Sequence, residues 1–148
     1  MLLCRVDISQ IPSGGLIAID GDPGAGKTSL SKQIVSHHPR SIVSLDDYIQ
    51  GDGKPYMDQL QLAAVERAID ACNGNAIVEG VHLLEALNAL GLKPNHLIFC
   101  KAIVNGEWQF SPLQSITPKA RLASTVIAYY RAYQPWLQAD LVLEHIVH

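Results

Sequence analysis

The stretch GLIAIDGDPGAGKTSL, residues 15–30, decides the fold of this chain. Its first six residues form an apolar run that ends in Asp20, which is typical of a central strand covered on both faces of a sheet. The residues that follow match the spacing Gly-x-x-x-x-Gly-Lys-[Ser/Thr], and a helix is expected directly after them, from about Gly26 to His37. The stretch therefore predicts a strand, a phosphate-binding loop and a helix, in that order.

Each residue type in this loop has a physical role in holding a phosphate. Glycine lets the backbone curl so that successive N–H groups point inward, and the helix N-terminus adds partial positive charge. Lys27 can reach the β- and γ-phosphates of a nucleoside triphosphate, and the Thr28 hydroxyl can ligate Mg²⁺. We therefore predict a nucleotide site formed by Gly21, Asp22, Pro23, Gly24, Ala25, Gly26, Lys27, Thr28 and Ser29.

The bulk composition predicts a single domain, residues 1–148, with an apolar core. Hydrophobic residues make up 48% of the chain and charged residues 17%, with a formal net charge of −3. That charge argues against a nucleic-acid partner, which requires a basic surface to displace counterions from phosphates. No apolar run approaches the roughly 20 residues that span a bilayer. With three scattered cysteines and no targeting signal, we expect a cytoplasmic protein without a membrane partner.

Short aliphatic runs alternate with helical patterns along the rest of the chain. Beside the first strand, we predict strands at residues 41–45, 76–80, 96–100 and 140–147. Asp58 and Gln61 fit a capping box for the helix between the second and third strands. A long helix is expected from Thr117-Pro118, with Pro135 bending its last turn. This alternation predicts an α/β fold with three layers, in which helices cover both faces of a five-stranded parallel sheet.

Two predicted strands end in carboxylates. Asp46 follows the second strand and Glu79 ends the third, and ligands of such sheets bind at the carboxyl ends of the strands. Because Mg²⁺ prefers oxygen ligands and keeps several waters, a carboxylate beside the loop suits it, and Glu79 is the candidate. A carboxylate farther from the loop could accept a proton from an acceptor hydroxyl. Asp46 suits this role, and its neighbour Asp47 stays open as the alternative.

Three segments together resemble a known family. They are GLIAIDGDPGAGKTSL, SLDDY and AIVEGVHLL, with a weaker similarity in the tail YYRAYQPWLQADLVL. They are similar to the uridine kinase-like P-loop kinases, which include pantothenate kinase and phosphoribulokinase. The resemblance implies the P-loop NTPase fold, ATP and Mg²⁺ as cofactors, Asp46 as the base toward the substrate hydroxyl, and Glu79 near the metal.

One segment departs from that family. Its kinases carry a lid whose arginines close over the phosphates, but residues 102–117, the reduced lid region, contain neither Arg nor Lys. Arg121 is the best substitute for the missing lid arginines. We predict it as a catalytic residue, together with Lys27 and Asp46. The sequence thus predicts an ATP-dependent kinase acting on a hydroxyl of a small molecule, including a nucleoside. The alternative is a nucleotide-binding regulator or weak ATPase. The acceptor and the oligomeric state stay open.

Overall fold

The fold is built on one central sheet. The computed structural model describes residues 7–51, 54–113 and 121–147. Its strands are β1 (Ile17–Gly21), β2 (Ser41–Ser44), β3 (Ala76–Gly80), β4 (His96–Val104), β5 (Glu107–Trp108) and β6 (Leu141–Val147). The parallel strands lie in the order β2-β3-β1-β4-β6. The predicted α/β sheet is therefore confirmed, with one addition: β5 pairs antiparallel with the end of β4.

Helices connect the strands. They are α1 (Lys27–His37), α2 (Tyr56–Gln59), α3 (Leu62–Asp70), α4 (Leu83–Ala89), α5 (Arg121–Tyr133) and α6 (Pro135–Gln138), with 3₁₀ turns at Ile8–Gln10 and Leu45–Tyr48. Among the described residues, no helix combines the length and apolar character needed to cross a bilayer.

The first strand shows why its sequence is apolar without alternation. Ala18 packs on one face of the sheet in a cluster with Val65 of α3 and Leu83 of α4. Ile19 packs on the other face with Ile34 of α1. Because both faces of β1 are covered, every one of its residues is buried, and the sheet forms the middle of three layers.

The predicted helix cap at Asp58 is wrong. Asp58 lies inside the short helix α2, and α3 begins four residues later, at Leu62, without a side-chain cap. The reason is tertiary, because Leu60 is extended and pairs with Ile49 in an isolated antiparallel bridge. That bridge interrupts the helical path and separates α2 from α3.

The C-terminal part of the chain differs from the prediction in two places. Pro135 does not bend the long helix; α5 ends at Tyr133, Gln134 adopts a left-handed conformation with φ 47°, and Pro135 begins α6. In the predicted lid region, residues 102–108 form the end of β4, a turn and β5. The predicted helix start at Thr117-Pro118 lies outside the described residues.

Candidate active site

The predicted phosphate-binding loop begins at the end of β1, where the backbone lies close to β4, and this close approach requires glycine at its first position. Gly21 has φ 150°, and a Cβ there would lie 2.2 Å from the carbonyl oxygen of Cys100. Gly26, at the other end of the loop, has φ 81°, a left-handed conformation that precedes α1. Both glycines of the sequence motif are therefore fixed by backbone geometry.

Lys27, the first residue of α1, holds the loop backbone. Its Nζ donates hydrogen bonds to the carbonyl oxygens of Gly21 at 3.0 Å and Asp22 at 2.6 Å. The side chain is 8% exposed. An ammonium group has three N–H donors, so one donor remains for a phosphate oxygen. The buried positive charge of Lys27 thus lies against the loop backbone.

A hydroxyl and a carboxylate meet beside the loop. The hydroxyl of Thr28 donates to Oε1 of Glu79 at 3.5 Å, and the Ser44 hydroxyl donates to the same oxygen. Parallel pairing of β2 with β3 sets Ser44 opposite Glu79. The described residues contain no group of three His, Cys, Asp or Glu that could hold a metal alone. Thr28 and Glu79 nevertheless fit Mg²⁺, because this ion is usually held by one or two side chains together with substrate phosphates and waters.

Asp46 lines a cleft beside the loop. It lies in the 3₁₀ turn after β2, is exposed, and its Oδ1 accepts a hydrogen bond of 3.0 Å from the Tyr56 hydroxyl. Burial, followed by the charge of Asp46, raises the pKa of Tyr56 far above its ordinary value, so this phenol stays a neutral donor. Asp46, Lys27, Thr28 and Glu79 line one cleft of about 250 Å³, whereas Asp47 does not line it.

Two carboxylates behind the loop are tied to α5, and the sequence patterns did not reveal this. Asp20 accepts hydrogen bonds from the Gly21 N–H at 2.8 Å and from the Tyr129 hydroxyl at 2.6 Å. Asp22 accepts from the N–H of Ala102 at 2.6 Å, from Nε1 of Trp108 at 2.8 Å, and from the Tyr130 hydroxyl. Both carboxylates are wholly buried. Two successive tyrosines of α5 thus hold the acidic residues that flank the first glycine of the loop.

These two carboxylates carry perturbed pKa values. Burial raises the pKa of Asp20 to about 6, partly offset by the Tyr129 hydroxyl and by the charge of Lys27. Burial also raises the pKa of Asp22 above its ordinary value, against the hydrogen bond from Tyr130. Because the Asp22 carboxylate already accepts these hydrogen bonds, the nucleotide contact predicted for this residue would be made by its backbone. The sequence held one signal: acidic side chains in a loop built for anions must point away from the anion.

Arg121 and Trp108 lie beside and within the reduced lid region. The backbone of Arg121 begins α5, but its side chain lies outside the described part of the chain, so its predicted catalytic role stays a prediction. Trp108 packs against Phe99, Tyr130 and Trp136, with ring centroids 6.0, 5.7 and 5.3 Å away. Trp108 therefore anchors the β4–β5 hairpin against α5 and α6.

Comparisons with known proteins identify the fold of this chain. No protein-family model matches the chain, and no curated protein matches it. Among solved structures, it is similar to a possible uridine kinase from Bacillus stearothermophilus, with TM-score 0.55, 13% identity and coverage of 88% of each chain. It is also similar to shikimate kinase from Aquifex aeolicus, with TM-score 0.54, 13% identity, and coverage of 88% of this chain and 86% of the other. The chain therefore has the fold of the P-loop kinases.

Proposed function

We propose that this protein is a kinase that transfers the γ-phosphoryl group of ATP to a hydroxyl of a small molecule. The observation that carries the proposal is that Asp46 lines the same cleft as Lys27 and Thr28. A nucleotide site alone requires only the loop. A carboxylate directed into the same cleft from a separate segment is what proton removal from an acceptor requires.

Different residues of the cleft have different roles in the proposed transfer. The loop N–H groups and the third N–H of Lys27 bind the phosphates and orient the γ-phosphorus. Thr28 and Glu79 would hold Mg²⁺, which supplies positive charge against the phosphate oxygens. Asp46 takes the proton of the acceptor hydroxyl as that oxygen bonds to the γ-phosphorus. The bond from the γ-phosphorus to the β–γ bridging oxygen breaks, giving a phosphate ester, ADP and a proton.

Tyr56 orients the proposed base. Its hydroxyl donates to Oδ1 of Asp46, which leaves Oδ2 without a hydrogen bond from any described residue. A carboxylate held in this way keeps one oxygen for the acceptor hydroxyl. We therefore assign Tyr56 a positioning role.

The variant Asp46→Asn tests the assignment of the base. We expect transfer to fall by about 10²–10⁴-fold, the usual contribution of a general base. The affinity for MgATP, measured by calorimetry, should change little because the loop is untouched. The matched control is Asp47→Asn, which removes the exposed neighbouring carboxylate and should retain transfer. Full turnover in Asp46→Asn would remove this residue from the mechanism.

A second measurement separates a kinase from a nucleotide-binding regulator or a weak ATPase. Consumption of ATP is followed with and without a panel of alcohols, and phosphorylated products are detected by mass spectrometry. A kinase forms a phosphate ester with at least one alcohol, and its ATP consumption rises in parallel. Nucleotide binding with ATP consumption indifferent to every alcohol would favour the regulator.

A further inference from the structure

A second cleft adjoins the phosphate cleft and shares one wall with it. Its volume is about 300 Å³, and Tyr56 lines both spaces. The hydroxyl of Tyr56 is the group that donates to Asp46. A molecule in the second cleft is therefore separated from the proposed base by a single side chain. This position suits the part of an acceptor that does not react.

Aromatic rings form a continuous wall of the second cleft. Tyr56 stacks on His82 with ring centroids 5.4 Å apart and an interplanar angle of 15°. His82 contacts Tyr129 at 5.0 Å, and Tyr129 contacts Tyr133 at 5.0 Å. All four rings line the cleft. The faces of tyrosine rings carry partial negative charge, and a face that is not covered by a neighbouring ring attracts cations.

One carboxylate is the charged group of this cleft. Among the described residues that line it, Glu85 is the only acidic side chain and none is Lys or Arg. Burial lowers the pKa of His82, with its hydrogen bond to Glu85 acting in the opposite direction, so the imidazole is mainly neutral at about pH 7. Oε2 of Glu85 lies 3.3 Å from Nδ1 of His82, whereas Oε1 has no hydrogen bond from any described residue. A carboxylate oxygen only accepts hydrogen bonds, so Oε1, on a side chain that is 35% exposed, is open to a donor from solvent or from a ligand.

Resting on the proposed kinase function, we propose that the second cleft binds the acceptor and that this acceptor is an alcohol bearing a cationic nitrogen. The ammonium group lies against the wall of Tyr56, His82, Tyr129 and Tyr133 and pairs with Glu85. Its hydroxyl reaches past Tyr56 toward Asp46. The carboxylates of Glu85, Asp46 and Glu79 all repel an anionic acceptor, and an uncharged one gains no charge attraction from Glu85.

Three alcohols of nearly equal shape test this charge preference on the wild-type protein. They are para-(aminomethyl)benzyl alcohol, para-ethylbenzyl alcohol and para-(hydroxymethyl)benzoate, which differ in carrying a cation, no charge or an anion. Choline and its uncharged carbon isostere 3,3-dimethylbutan-1-ol form a second pair, which tests the effect of the charge without an N–H donor. Calorimetry with and without MgATP measures binding, and ester formation measures transfer. We expect the cationic member of each set to bind about tenfold or more tightly than its neutral isostere.

The variant Glu85→Gln tests the residue assigned to the charge. It keeps the shape of the side chain, so the dissociation constant for para-(aminomethyl)benzyl alcohol should rise about tenfold while that for the ethyl compound stays the same. The matched control is Glu66→Gln, an exposed glutamate of α3, which should alter neither constant. Thermal melting checks that each variant folds. If Glu85→Gln fails to fold, the comparison of the three alcohols on the wild-type protein still tests the charge preference.

The outcomes separate this inference from the function on which it rests. Tighter binding of the neutral or the anionic member, or equal binding of all three alcohols, overturns the charge assignment. If such an alcohol is nevertheless phosphorylated, the kinase proposal survives. Selective binding of the cationic alcohol without transfer supports the cleft and counts against the kinase. Binding of none of the cations, with MgATP bound, overturns the inference alone.

Discussion

Replacing Asp20 with asparagine should change how the stability of this protein depends on pH. The Asp20 carboxyl is completely buried, and burial raises its pKa from 3.8 to about 6. The folded protein therefore keeps a proton that the unfolded chain has already released between about pH 4 and pH 6. The stability contributed by this group is complete below about pH 4 and is lost as the pH rises through about 6.

The size of this effect follows from the pKa difference. Since each pKa unit corresponds to about 1.36 kcal/mol, a rise from 3.8 to about 6 amounts to about 3 kcal/mol. The asparagine side chain in Asp20→Asn is uncharged at every pH, so the variant does not lose this stability as the pH rises. Its free energy of unfolding, relative to wild type, should therefore increase by about 3 kcal/mol between about pH 4 and pH 7.

Urea unfolding measured at several pH values tests this expectation, with tryptophan fluorescence as the signal. The control is Asp70→Asn, whose side chain is exposed at the end of α3. Comparing each variant with wild type at the same pH removes the contributions of all other titrating groups. A difference between Asp20→Asn and wild type that is constant from about pH 4 to pH 7, or that decreases, would refute the reasoning.

Two further substitutions test the loop and its support. Tyr130→Phe keeps a buried ring but removes the donor to Asp22, so the free energy of unfolding should fall by about 1.5–3 kcal/mol, the usual range for a hydrogen bond to a charged group. Urea unfolding measures it, and an unchanged midpoint would contradict the role of this hydroxyl. Lys27→Ala should weaken MgATP binding by roughly 10- to 100-fold and reduce transfer as well. Calorimetry checks this against Lys32→Ala, an exposed lysine of the same helix; equal affinities would contradict it.

Much of the fold could be predicted from local sequence because the relevant signals are local. The apolar run before Gly21 predicts a doubly covered strand, and both faces of β1 are indeed buried. The glycine spacing predicts a loop followed by a helix, and α1 begins at Lys27 as expected. Backbone conformation and burial on both faces are properties that a short segment carries by itself.

The errors arise where distant segments decide the structure. Asp58 has the sequence of a helix cap, but the bridge between Ile49 and Leu60 ends one helix and starts another. The strand β5 has two residues, and its pairing depends on β4 extending beyond the end of β1. Neither feature produces a periodic pattern in the sequence, so both could be identified only from the tertiary structure.

The candidate site was likewise predictable from the sequence only in part. The motif spacing alone locates Lys27 and Thr28, whereas the sequence favours Asp46 as the base and leaves its neighbour Asp47 open as the alternative. The 3₁₀ turn after β2 brings Asp46 to the cleft and within 3.0 Å of the Tyr56 hydroxyl, and this favours Asp46 for the proposed role. Successive residues in a tight turn point in different directions, and the choice between them depends on the turn geometry rather than on composition.

The buried carboxylates behind the loop pose an electrostatic question, because negative charge beneath an anion site opposes binding. Each carboxylate is matched by donors: a tyrosine hydroxyl and at least one backbone N–H, with the charge of Lys27 nearby. The carbonyl oxygens of Gly21 and Asp22 in turn hold Lys27. The loop is thus fixed by contacts made before any phosphate arrives, so binding requires little further ordering of the backbone. Because the ring of Tyr129 also lines the second cleft, the same helix that fixes the loop forms the wall of the proposed acceptor site.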